Sequence, residues 1–157
     1  MQQGENPAIA ALQATNVPFT LAEPVSGARD LPEFARRSGL RERQVVKSLL
    51  LDLDGTGFAL LLVAGDRNAD YAALRRRFGL RSVRMADREA VLRITGYPVG
   101  RVTPLALRTP GLLVLVDEVL LSEGSVSLGT GVPGRHVRLA GRDLPRAVNG
   151  EPGPFAK

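Results

Sequence analysis

Val45-Val-Lys-Ser-Leu-Leu-Leu-Asp-Leu53, Asp54-Gly-Thr56 and Gly57-Phe-Ala-Leu-Leu-Leu-Val-Ala64 decide how this chain folds. Two apolar runs of strand length flank three residues of turn chemistry, which is a strong hairpin signal. Hairpin-joined strands lie antiparallel, whereas parallel neighbours need a connection of a dozen or more residues, usually a helix. The sheet therefore contains an antiparallel pair.

That conclusion removes a tempting alternative. Asp52-Leu-Asp54-Gly-Thr56 resembles the acidic signature of haloacid dehalogenase-type phosphatases, and Gly65-Asp66 to Asp70 resembles their later acidic motif. In those enzymes the two motifs sit on separate parallel strands. Only ten residues lie between Asp54 and Gly65, and most of them form the second strand of the hairpin. Asp52 and Asp54 are therefore turn formers.

Outward from the hairpin, helices and short strands alternate. Asn6-Pro7 is a helix start, and the helix ends before Val17-Pro18. Phe19 to Ala22 reads as a short strand. Asp30, with Glu33 in capping-box spacing, opens a helix that Gly39 closes. Tyr71, Leu74 and Phe78 recur at helical spacing between Asp70 and Gly79. Ser82 to Met85 is a short strand, and Asp87 caps a helix through Ile94. Strands follow at 112–116, 125–128 and 135–139, then a helix near 144–148. Residues 149–157 are rich in Gly and Pro and read as a frayed tail. The expectation is one α+β domain over 1–157 with its core at about 8–148. A curved mixed β-sheet is flanked by helices.

Composition narrows the functional classes. At 157 residues with 44% hydrophobic content, the chain can bury a real core. No apolar run approaches the roughly 20 residues of a membrane span, so no membrane partner is expected. The first residues lack the basic and apolar regions of a secretory leader, giving a cytoplasmic expectation. There is no cysteine and one histidine, which argues against a thiolate nucleophile and a multi-histidine metal centre. Nineteen arginines and two lysines give a net charge of +5. The arginines cluster at 36–43 and 75–84, where an RNA or nucleotide partner and a merely solvated basic surface are both open readings.

Four places could carry chemistry. Thr95-Gly-Tyr-Pro-Val-Gly-Arg-Val-Thr-Pro104 is a stiff loop whose glycines can expose backbone N–H groups to an oxyanion or phosphate, or an ordinary turn. Lys47 places an ammonium inside an apolar strand, where it meets a substrate or snorkels to water. Gly129-Thr-Gly-Val-Pro-Gly134 lacks the ending of a phosphate loop and reads as a tight hairpin turn. His136 just beyond faces a pocket or solvent.

Together these pieces resemble YbaK-like domains, the aminoacyl-tRNA deacylases related to the editing insertion of bacterial prolyl-tRNA synthetases. The resemblance rests on Val46-Lys-Ser-Leu49, Asp66 to Tyr71, Ala86-Asp87, Thr95-Gly-Tyr97 with Gly100 and Pro104, Val116-Asp117, and Gly131 to Leu139. It spans about residues 8–148. It implies a pocket between the lysine strand and the glycine–proline loop, and hydrolysis of the ester joining a wrong amino acid to tRNA. No metal or organic cofactor is implied.

On that resemblance, Lys47 orients the terminal adenosine and the Gly100 N–H stabilises an oxyanion. Gly96, Thr103, Pro104, Gly129, Gly131 and His136 shape the substrate pocket, and Asp117 positions water or the substrate ammonium. Arg75, Arg76 and Arg77 meet the tRNA body. The partners are mischarged aminoacyl-tRNA, chiefly proline-specific tRNA carrying Cys, Ala, Ser or Thr, and a prolyl-tRNA synthetase. Three departures bear on which amino acid is edited. Gly129 and His136 stand where cysteine-specific members have Ser and Asp, Ser48 where Thr is commoner, and Val102 where a smaller or different residue is common. The rival reading is a non-catalytic module that binds tRNA ends or a synthetase.

Overall fold

The computed structural model describes residues 6–157; residues 1–5, on which the leader expectation rested, lie outside them. In chain order the elements are α1 (Pro7–Ala14), β1 (Thr20–Leu21), α2 (Leu31–Ser38), β2 (Val46–Asp52), β3 (Phe58–Ala64), α3 (Tyr71–Phe78) and β4 (Arg84–Met85). They continue with α4 (Arg88–Thr95), β5 (Leu113–Asp117), β6 (Val126–Gly129), β7 (His136–Leu139), α5 (Leu144–Val148) and β8 (Glu151–Gly153).

Local chemistry sets most of these boundaries. Asn6, Asp30, Asp70 and Asp87 each accept a hydrogen bond from the backbone N–H three residues on, which satisfies a free donor at the start of a helix. The hairpin forms as its sequence requires. β2 and β3 pair antiparallel from Val46↔Ala64 to Asp52↔Phe58. Asp52 Oδ1 accepts the Gly55 N–H at 2.8 Å, and Asp54 and Gly55 take the left-handed conformation of the turn. The acidic pair thus serves the turn.

Five strands form a mixed sheet in the order β4-β2-β3-β5-β8, with β3–β5 and β5–β8 parallel. The remaining strands form a separate antiparallel sheet, β1-β7-β6, joined to the first by an isolated bridge between Val45 and Ser127. The α+β class and the mixed sheet stand; the strands divide between two sheets. Side chains of the larger sheet alternate between two cores. Leu50, Leu60, Leu62, Val114 and Val116 pack with α1, α5, β6 and β7. Leu51, Leu61, Val63 and Leu115 pack with Leu74 of α3 and Phe155. Residues 59–64 are buried on both faces, which explains an apolar run without alternation.

The C-terminal segment corrects the expectation of a frayed tail. β8 pairs with Leu115–Asp117, and Phe155 and Ala156 are buried. Asn68 and Lys157 exchange two backbone hydrogen bonds of 2.8 Å, and Asp70 N donates to Phe155 O. Glycine and proline misled here because β8 is an edge strand, where a proline's missing donor is tolerated. No helix of the described residues is long and apolar enough to cross a membrane.

Candidate active site

α4 delivers the chain into the glycine–proline loop, and one tyrosine braces that loop. α4 ends at Gly96 with φ of 86°. The Tyr97 N–H donates to Thr95 Oγ1, and its hydroxyl donates to Leu105 O at 2.6 Å. The Tyr97 ring lies against Gly131, where a Cβ would come within 2.5 Å of Cε1. Gly131 is therefore bare so that the ring can fit, and this contact holds the Gly100 loop against the β6–β7 turn.

Three cavities border Gly100, and two of them hold other expected site residues. The smaller, about 220 Å³, is lined by Val46, Gly100, Val102, Ser127, Gly129 and His136 among others. The larger, about 630 Å³, runs along the edge of β2 and includes Lys47, Ser48, Ala86, Val91, Gly100 and Val102. Gly100 has φ of 94°, and a Cβ there would meet nothing within 4 Å. Among the described residues, no acceptor takes its N–H. A free backbone donor in the wall between two cavities can receive a developing oxyanion.

His136 is buried in the smaller cavity with both ring nitrogens engaged. Nε2 lies 3.2 Å from Glu23 O and Nδ1 lies 2.9 Å from Ser127 Oγ. A carbonyl can only accept, so Nε2 carries the proton and Nδ1 accepts from the serine hydroxyl. The Phe34 ring meets the imidazole edge-on at 4.8 Å. Burial pushes the imidazole pKa below its ordinary 6.5, against the raising effect of the Glu23 bond, and the Arg138 charge lowers it further. His136 is thus a neutral, oriented wall and no free proton carrier.

A stability prediction follows from the depressed value. The unfolded chain takes up this proton at a higher pH than the native one. The contribution of His136 is therefore complete above pH 6.5 and is lost as pH falls toward the folded value. Melting temperatures on either side of pH 6.5 should fall further for the wild type than for His136→Gln. An identical pH dependence of the two proteins would contradict a buried neutral imidazole.

Lys47 lies on the other face of β2 from Val46, as strand alternation demands. Its Nζ donates to Arg67 O at 2.6 Å. Burial lowers the pKa of this half-buried ammonium, partly offset by the charge of Asp66. Lys47 and Gly100 both border the larger cavity, with the Lys47 ammonium turned to Arg67 O on the other face of β2 from Val46, and Gly100, Gly129, Gly131 and His136 border the smaller.

Other expected site residues lie elsewhere. Gly96 caps α4, and its Cβ would crowd Arg108 at 3.2 Å. Thr103 and Pro104 are buried within the loop, with Thr103 Oγ1 accepting from Leu105 N at 3.4 Å. Asp117 is fully buried and engaged. It pairs with Arg67 Nε at 3.0 Å, accepts from Ala64 N at 3.4 Å, and caps Val119 N at 3.2 Å. Fully buried and held by an arginine and two backbone donors, this carboxylate is closed off from a substrate ammonium.

Arg75, Arg76 and Arg77 lie on α3, which packs on the face of the large sheet opposite to the smaller cavity. Arg77 is bound in bidentate fashion to Glu151, at 2.9 and 3.1 Å. Around the cavities stand three exposed arginines that the sequence did not single out: Arg88, Arg101 and Arg135. None has a carboxylate partner among the described residues. They are scattered along the chain, so no charge cluster announced them.

Residues 25–147 match the family described as the aminoacyl-tRNA editing domain. The chain belongs to that family. The editing domain is 31% identical over 118 residues to a proline–tRNA ligase of Trichlorobacter lovleyi, covering 74% of this chain and 20% of the ligase. It is 30% identical over 138 residues to that of Geobacter sulfurreducens, covering 80% of this chain and 23% of the ligase. It thus spans about a fifth of the length of these relatives. A solved structure described as a proposed trans-editing enzyme for prolyl tRNA synthetase superposes with a TM-score of 0.83 at 25% identity. That match covers 100% of this chain and 99% of the other. The editing domain accordingly falls among relatives of prolyl-tRNA synthetase editing proteins.

Proposed function

We propose that this editing domain hydrolyses the ester of mischarged aminoacyl-tRNA, releasing free amino acid and tRNA. The observation that carries the reading is the bare Gly100, its N–H unclaimed, in the wall shared by the two cavities. The ester carbonyl sits at Gly100, the amino-acid side chain enters the smaller cavity, and the terminal adenosine lies in the larger. Water, or water activated by a group on the substrate, adds to the carbonyl carbon. The charge that develops on oxygen is met by the Gly100 N–H. The bond to the ribose oxygen then breaks, and that oxygen leaves with the proton surrendered by the attacking water.

Lys47 orients the adenosine through its ribose or phosphate, so the ester arrives in attack geometry. Gly129 and His136 bound a cavity of about 220 Å³, which suits a small side chain such as that of Ala, Cys, Ser or Thr. The relatives favour proline-specific tRNA and a prolyl-tRNA synthetase as partners. Single-turnover incubation with mischarged proline-specific tRNA tests the reading. Release of amino acid supports a deacylase, and tight binding without release supports a non-catalytic module.

The tRNA body should be met by exposed arginines, whose phosphate contacts make binding salt-dependent. Changing Arg88, Arg101 and Arg135 to Gln is expected to weaken tRNA binding. Each lost contact should reduce the slope of log affinity against log salt by about 0.7–0.9. The same change at Arg75, Arg76 and Arg77 should have a smaller effect, since Arg77 is already paired. The reverse order would place the tRNA body across α3.

A further inference from the structure

The Lys47 ammonium is held by a backbone carbonyl whose residue is tied on several sides. Arg67 O accepts from Lys47 Nζ at 2.6 Å. The Arg67 N–H donates to Ala64 O at 2.9 Å, and the next residue, Asn68, is joined to Lys157 by two backbone bonds. The Arg67 guanidinium reaches in two directions, to Asp117 Oδ2 at 3.0 Å and to Ala156 O at 2.8 Å. Asp117 ends β5 and is fully buried. A buried ion pair adds little net stability over apolar residues of similar size, but it fixes geometry.

We infer that Arg67 and Asp117 are positioning residues for Lys47, bracing the Arg67 carbonyl that holds its ammonium. The inference rests on the substrate-orienting role proposed for Lys47. An ammonium has three donors, and one is spent on the carbonyl, so two remain for a phosphate or ribose oxygen. Left untied, a four-carbon side chain would follow solvent instead. Neither Arg67 nor Asp117 touches the substrate in this arrangement. Their effect passes through a backbone oxygen, which no side-chain motif announces.

Two lysines in the whole chain make the test clean. Protein carrying lysine labelled with ¹³C at the ε position gives one signal from Lys47 and one from the exposed Lys157. The double substitution Arg67→Met with Asp117→Asn removes both charges and strands neither. Asp117→Asn alone is the second variant should the double one not fold; it releases the Arg67 guanidinium on one side, strands no buried charge because Arg67 is partly exposed, and adds no third lysine. In the wild type the Lys47 signal should stand apart from that of Lys157, and in the variant it should move toward it.

Single-turnover hydrolysis is measured on proline-specific tRNAs carrying Ala, Cys, Ser and Thr. The fastest should slow on the order of a hundredfold, as for a misplaced orienting group, with tRNA affinity retained. A folded variant with an unmoved Lys47 signal, or a moved signal with normal turnover, would overturn the inference. If Lys47→Ala itself hydrolyses normally, the proposed role of Lys47 fails instead, and the NMR signal still decides whether the brace exists.

Discussion

Gly100→Ala is expected to slow single-turnover deacylation on the order of a hundredfold, the cost of one lost oxyanion donor, in a protein that remains folded. The space around a Cβ at this position is open, so a methyl group disturbs no packing and acts only by standing where the ester carbonyl is proposed to approach the N–H. The backbone cost is separate. At φ of 94° an L-residue is strained, by about 1–2 kcal/mol. Gly111 supplies the control: its φ is 74°, a Cβ there also meets nothing, and it borders neither cavity. Gly111→Ala should lose comparable stability and no activity. Equal rates for the two variants, measured beside their melting temperatures, would rule out close approach of the substrate at Gly100.

Lys47→Ala should be at least as damaging, a hundredfold or more, if orientation of the reacting ester is what the ammonium supplies. Its side chain is half-buried, and its recorded polar bond is to the Arg67 carbonyl. Truncation therefore leaves one acceptor within reach of water and strands no buried charge. Stability should change little. Lys47→Arg should also be poor, since a planar fork cannot replace a compact ammonium at a tight site. The rate constant and the concentration dependence should be separated. A role in the transition state lowers both kcat and kcat/KM, whereas uniform binding would appear in KM alone. An alanine variant that unfolds would make Lys47 a structural residue.

Much of the fold was written locally. Asp30, Asp70 and Asp87 stand at helix starts with glycines 39, 79 and 96 at the ends, so three helices could be placed almost to the residue. The Asp54-Gly55 turn likewise settled the central hairpin. The division into two sheets was not legible: β1 and β4 were expected as strands, but which sheet each joins is set by distant pairing, β1 with β7 and β4 with β2. β8 escaped for a similar reason. Glycine and proline describe its local preference, while its pairing with β5 and the burial of Phe155 are tertiary.

The structure gathers some of the expected site residues and sets others apart. Gly100, Gly129, Gly131 and His136 do meet at one cavity. Asp117 entered through the resemblance, and its partner in the structure, Arg67, lies fifty residues away in sequence. The Ser127–His136 pair could have been found by counting register back from the 130–135 turn. With Gly129 opposite His136, Ser127 is its diagonal neighbour on the same face. Arginine density pointed to α3, whereas the unpaired arginines at the cavities are single residues brought together only by the fold.

Hydrolysis itself is the most direct test. Proline-specific tRNA charged with Ala, Cys, Ser or Thr would be mixed with excess protein, and free amino acid followed in a single turnover. The expected result is release from at least one of these well above the rate in buffer, suppressed by Gly100→Ala and untouched by Gly111→Ala. Tight binding of all four with release no faster than in buffer would contradict a deacylase and leave a module that only holds the tRNA end.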